Sequence, residues 1–295
     1  MQPTAKSLIL DLLSTLGRGT MPVGALVEAS RLFGIEENSL RVSLARLFAM
    51  GTVERDQRGA YRLGTTTEAV RQEVHGWRDL SERLRPWKGD WIGVHTAPLP
   101  GARARQRQRR ERALRLLGFE TLQPGLQVRP DNLAGGVPEA RGRLVALGLE
   151  TGTPVFGLRQ LDPLTDLRAR SLWDGTNLSR QHEESCQSLR ESEGRIAKLA
   201  AEEAMVESFL VGGRVIRQLV LDPLLPEPLV SVGARNALID ALDRYDRVGC
   251  DCWAAFMAAH DVVAVRTPAD VRLDAAGHPA GDDAQTAPRE RDQDS

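Results

Sequence analysis

Cysteine is scarce in this chain. Three in 295 residues, Cys186, Cys250 and Cys252, form neither a disulfide framework nor a CxxC pair, and a lone CxC without a second pair is a weak metal signal, so reduced thiols and no metal are expected. No apolar run approaches the roughly 18 residues that a membrane-spanning helix needs. The start, MQPTAKSLIL, lacks a basic segment, a long apolar stretch and a cleavage site, so a cytoplasmic protein without a membrane partner is expected. Excess charge of one sign is missing too: 39 Lys and Arg against 40 Asp and Glu leave a net of −1, which hides any local concentration of sign. Catalytic signatures are absent as well, with no GxSxG elbow and no His or acidic pattern beside Cys250 or Cys252. No catalytic residue and no cofactor are therefore assigned, and a non-enzyme is expected.

What is present begins with helical periodicity. Leu8, Ile9, Leu12, Leu13 and Leu16 share one face of a helix over residues 5–16, and Val23, Leu26, Val27, Leu32 and Phe33 form a second that stops at Gly34. A third begins near Asn38, with Leu40, Leu44, Leu47 and Phe48 on its inner side and Asn38, Ser39, Val42, Ala45 and Arg46 on its outer side. The stretch TVERDQRGAYRL, residues 52–63, reads as two short strands joined through Gly59. Three helices and a hairpin predict a winged helix-turn-helix, whose third helix enters the major groove of a double-stranded DNA operator. Arg46 would then donate to guanine and Val42 touch a thymine methyl, with Ser43 beside them. Arg41 on the flank and Arg55, Arg58 and Arg62 on the wing would hold phosphates. The alternative is a docking module whose polar face meets only water. Residues 1–63 carry eight basic against six acidic side chains, a small surplus that favours a homodimer on two half-sites, while Glu36 and Glu37 would repel a phosphate.

After a linking helix over residues 66–84, the chain reads strand 90–96, helix 102–117, strand 119–122, strand 126–129, helix 136–147 and strand 154–160, the βαββαβ order of a ferredoxin-like unit. A small nuclease family of the CRISPR systems has that fold and places a metal-binding aspartate at the end of its first strand. Here Val94, His95, Thr96 and Ala97 stand there, so a nuclease is not expected. The first helix of this unit carries seven arginines against Glu111, with Arg105, Arg109 and Arg112 at i, i+4 and i+7. That face suits nucleic acid or the phosphates of a coenzyme A ester; equally, it is a solvated amphipathic helix. Residues 179–210 are mostly helical, a helix stops at Asp222-Pro223, and another spans about 233–246. Residues 266–295 lack periodicity and read as a disordered tail.

Five stretches together resemble one family: GIEENSLRVSLARLFAMGTVER from Gly34, WKGDWIGV from Trp87, RRERALRLLGFETLQPGLQVRP from Arg109, Leu172-Trp173-Asp174, and RQLVLDPLLP from Arg217. In this order, over roughly residues 5–258, the chain resembles the PaaX family of transcriptional regulators. The resemblance implies an α+β protein: a winged helix-turn-helix over 1–64, a linker over 65–88, a ferredoxin-like domain over 89–162, a helical effector and dimerisation domain over 163–260, and a tail over 261–295. It implies a dimeric repressor relieved by an aryl-acyl-CoA effector such as phenylacetyl-CoA. Contacts to that effector are expected among Trp91, Arg105, Arg109, Arg112, Trp173 and Arg217. Trp91 and Trp173 also suit plain packing, and Arg217 suits an ion pair with Asp222. Glu36 stands where family members often have Ser, and LVSVGARNA lacks the Trp often found after the DPxLP segment. The alternatives are an acyl-CoA-handling enzyme assembled through its winged helix, and a nucleic-acid-binding regulator that needs no effector.

Overall fold

The computed structural model describes residues 2–17, 19–56, 59–65, 76–77, 80–96 and 104–262. The expected tail beyond residue 262, most of the linking helix and Arg58 lie outside the described residues. Helix and antiparallel sheet are combined in an α+β protein.

Helix α1 (Ala5–Ser14) starts at a reciprocal cap: the Ser7 amide donates to Thr4 Oγ1 at 3.2 Å and the Thr4 amide donates to Ser7 Oγ at 2.9 Å. It buries Leu8, Ile9, Leu12 and Leu13 against α2 (Val23–Leu32) and α3 (Glu37–Ala49). Gly34, at φ +68°, closes α2 in the left-handed conformation that glycine reaches without strain. Strands β2 (Val53–Arg55) and β3 (Ala60–Leu63) pair antiparallel with Glu54 opposite Arg62. The sequence pattern shows no third strand here. Even so, Met21–Pro22 forms a two-residue β1 on the far side of β3, giving the order β1-β3-β2. Two residues are too few for an alternation to be visible. Leu40, Leu44 and Leu47 are buried as expected, whereas Phe48 is 52% exposed. The reason is angular, because Phe48 lies about 80° around the helix from Leu40, past the edge of the apolar stripe.

The second sheet holds β4 (Trp91–His95), β5 (Glu120–Gln123), β6 (Leu126–Pro130) and β7 (Val155–Leu158) in the antiparallel order β5-β6-β4-β7. A short helix α4 (Leu80–Arg83) precedes it, α5 (Ala104–Leu116) joins β4 to β5, and α6 (Gly136–Leu147) joins β6 to β7. Alternate residues of a strand face opposite sides. Ile92 and Val94 accordingly pack under Ala113, Leu114, Ala140 and Leu144 of the two helices, and Trp91 packs on the other face. That other face is covered by Trp87, Trp173 and α7 (Pro163–Arg170), a helix without a readable apolar stripe because Leu164 and Leu167 are 79% and 68% exposed.

Three long helices follow: α8 (Gly175–Ile196), α9 (Ala201–Val220) and α10 (Val232–Ala259), the last running well beyond the expected stop near 246. They bury Leu189, Val215, Leu238 and Tyr245 among themselves. Between α9 and α10 the chain turns inward through Asp222. One Asp222 oxygen lies 2.5 Å from His182 Nε2, while the other accepts the Leu224 amide at 2.7 Å and stands 3.9 Å from Arg235 Nη1. Arg217 is not the partner of Asp222. It stays on the surface of α9 and binds Asp11 of α1 at 3.2 Å, because Asp222 lies past the end of the helix and points into the interior. The buried Arg129 donates to the Leu117 carbonyl and to Asn132 Oδ1, and Asn132 donates to the Leu224 carbonyl at 2.7 Å. These bonds tie the four-stranded sheet to the α9–α10 turn.

The N-terminal helices do not keep a core of their own. Met205 of α9 and Trp253 of α10 belong to the same buried cluster as Leu8, Leu26 and Leu44. Phe33 packs on Phe209 at 5.1 Å between ring centres, and Phe209 packs on Trp253 at 5.9 Å. At the edge of this contact His260 Nδ1 meets the Phe256 carbonyl and Nε2 meets Glu28 of α2, both at 2.9 Å. Acceptors at both ring nitrogens favour the doubly protonated imidazolium, so the His260 pKa is raised, first by the Phe256 carbonyl and then by Glu28. A raised histidine pKa stabilises the fold fully below the ordinary value of about 6.5, and this contribution is lost as pH rises through the raised value. Urea midpoints should therefore fall over that interval in the wild type. The fall should be shallower in Glu28→Gln; equal pH profiles would remove the His260–Glu28 contact from the account.

Candidate nucleic-acid interface

Helix α3 is built with two unlike sides. Its apolar side is fixed by Leu40, Leu44 and Leu47. On the opposite side Asn38, Ser39, Arg41, Val42, Ala45 and Arg46 are exposed, with Ser43 half-buried between the two. Val42 is 42% exposed and so offers its methyl groups to a partner. Phe48 and Met50, at 52% and 60% exposure, extend this surface with apolar area that the sequence reading does not assign to it.

Arginines on this surface differ in how free they are. Glu37 accepts from Arg41 at 2.8 Å and from Arg31 at 3.2 Å, and its pKa is lowered chiefly by the Arg41 bond. The i, i+4 spacing of Glu37 and Arg41 is the signal that could have revealed this pair. Glu54 accepts from Arg62 at 3.0 Å and from the Thr65 amide at 3.1 Å; its pKa is lowered by the Thr65 bond first and the Arg62 bond second. Arg55 lies 5.9 Å from the centre of the Tyr61 ring. Arg46 and Arg55 have no acidic partner among the described residues. Exposed ion pairs are worth little, so a phosphate can displace Glu37 or Glu54 at small cost. Arg46 needs no such exchange and presents its fork of N–H donors directly.

The six expected effector contacts do not converge. Trp91 is buried, donates Nε1 to Asp166 at 3.0 Å, and stacks on the half-buried Trp173 at 6.1 Å between ring centres. Arg105, Arg109 and Arg112 are exposed on α5, which covers the other face of the same sheet. Arg217 is on α9 beside Asp11. A cavity of about 20 Å³, room for about one water, lies between Trp77, Arg129, Arg143 and Asp222. An open cleft of about 400 Å³ lies between Glu183, Cys186 and Arg190 of α8 and Ser231, Ala234 and Ala237 near the start of α10. None of the six candidates lines either space.

Residues 4–67, which span α1 to β3, match the family model described as PaaX-like protein. The match is confined to this N-terminal part of the chain. Over a longer span the chain is similar to the solved structure titled uncharacterized protein Rv0674 from Mycobacterium tuberculosis. The two share 25% identity, the match covers 84% of this chain and 98% of that one, and the TM-score is 0.53. No curated protein matches the chain. Among the described residues, no helix is long and apolar enough to cross a membrane, and no group of His, Cys, Asp or Glu has the arrangement of a metal site.

Proposed function

We propose that the chain is a sequence-specific DNA-binding transcriptional regulator that reads operator DNA with the outer side of α3. In this reading α1 to β3 form a winged helix-turn-helix domain, the four-stranded sheet with α5 and α6 forms a ferredoxin-like domain, and α8 to α10 form a helical domain. The observation that carries it is the exposed outer side of α3: among the described residues, α9 and α10 pack against the N-terminal core, while Asn38, Ser39, Val42 and Arg46 stay exposed. Arg46 reaches guanine O6 and N7, Val42 meets a thymine methyl, and Asn38, Ser39 and Ser43 donate to neighbouring groups. Arg41, Arg55 and Arg62 hold phosphates, as Arg58 does on the part of the wing outside the described residues.

A dimer on two half-sites fits the small charge surplus of this unit, and repression of a catabolic operon relieved by an aryl-acyl-CoA follows from the resemblance. The test is footprinting on DNA from upstream of the protein's own coding sequence, beside a shuffled duplex of equal length. A protected site on the first and none on the second is expected. Equal occupancy of both duplexes, or of neither, overturns the reading.

A further inference from the structure

Among the described residues, most arginines of the helix on the four-stranded sheet have no acidic partner, whereas several on other helices are paired within one turn. Arg170 on α7, Arg180 on α8 and Arg247 on α10 are each bonded to an acid one turn away, Asp166 at 2.6 Å, Glu184 at 2.7 Å and Asp243 at 2.6 Å. On α5, Arg110 alone turns inward, 8% exposed and 3.9 Å from Glu150. Arg105, Arg107, Arg109, Arg112 and Arg115 are exposed and have no acidic partner among the described residues. Like charges at i and i+4, such as Arg105 and Arg109, repel one another and weaken a helix.

We infer that this face is a second DNA-binding surface, one that holds the phosphate backbone without reading sequence; the inference rests on the DNA-binding reading above. Arg105, Arg109 and Arg112 form one line about 10 Å long, and a duplex presents about six charges over that length. The surface is exposed, and its neutral exposed side chains are those of Ala104, Gln106 and Gln108, which make no apolar wall for an acyl chain. A duplex backbone therefore suits it better than a coenzyme A ester. The need for it is electrostatic. Three arginines on and beside α3, Arg31, Arg41 and Arg62, are already bonded to Glu37 and Glu54, which leaves the N-terminal surface with little net positive charge for sequence-independent attraction.

The test is the triple variant R105A/R109A/R112A of the full chain, with circular dichroism and urea unfolding to establish that it folds. Binding to a fluorescent duplex without an operator is followed by anisotropy over a range of salt. Relative to wild type, the slope of log affinity against log salt should shrink by about 2 to 3, and affinity near 0.1 M salt should fall on the order of 100-fold. Preference for operator over other DNA should persist. A folded variant with wild-type slope and affinity overturns the inference but leaves the α3 reading intact. A wild-type protein that binds neither duplex overturns both.

Discussion

Asp222→Ala is expected to cost the fold about 3 to 5 kcal/mol, because removing one member of a buried ionic cluster strands the others. Arg235 is 2% exposed and His182 1%, so neither side chain reaches water when the carboxylate is gone. Burial already holds the Arg235 pKa below its ordinary value, against the opposing pull of Asp222. Its remaining bond is from Nη1 to the Leu225 carbonyl at 2.7 Å, and Nε has no partner among the described residues. Losing Asp222 also frees the Leu224 amide, and with it the turn whose Leu224 carbonyl holds Asn132. The effect should reach the four-stranded sheet as well as the helices. Arg217→Ala is the control: its pair with Asp11 is exposed, 58% on one side and 38% on the other, and should be worth less than about 1 kcal/mol. Urea unfolding of both variants checks the assignment. Were Arg217→Ala the more damaging change, the pairing described for Asp222 would be wrong.

The second large effect is on DNA. Arg46→Ala should weaken binding to the cognate operator by about 1 to 3 kcal/mol and flatten discrimination at the base pair it contacts. Arg46 is exposed without an acidic partner among the described residues, so its removal leaves nothing unpaired inside the protein, and unfolding should be nearly unchanged. Arg41→Ala offers the contrast. As a phosphate contact it should lower affinity for all sequences alike, with a smaller net loss because Arg41 first has to leave Glu37. Titrations against the operator and single-base variants separate the two patterns. If Arg46→Ala kept full selectivity, base reading would have to move to another side chain of α3.

How far the chain can be read without coordinates depends on whether a feature is local. Helices α1 to α3 were legible because their leucines recur at helical spacing and because Gly34 and Gly59 sit where a positive φ is required. The βαββαβ order was legible for a similar reason, with breakers such as Pro124-Gly125 between runs of clear period. Helix α7 was not, since its two leucines face solvent and leave no stripe. In the candidate site, the exposed residues of α3 could be listed from the wheel alone, but the wheel could not say which arginines were free. Glu54 meets Arg62 only because β2 and β3 pair in one register, and Asp11 meets Arg217 across 206 positions of chain.

By itself, then, the sequence determined which side of each amphipathic element is apolar, where the turns fall, and that arginine is concentrated on α5. Only the tertiary structure decided that α9 and α10 complete the N-terminal core through Met205 and Trp253, that Asp222 serves His182 and Arg235, and that Trp91 and the α5 arginines stand on opposite faces of one sheet. The physical reason is the range of the forces that set each feature. Periodicity and turn chemistry act over a few residues, whereas the partner of a buried side chain is chosen by which surfaces close together, and that choice spans the whole chain.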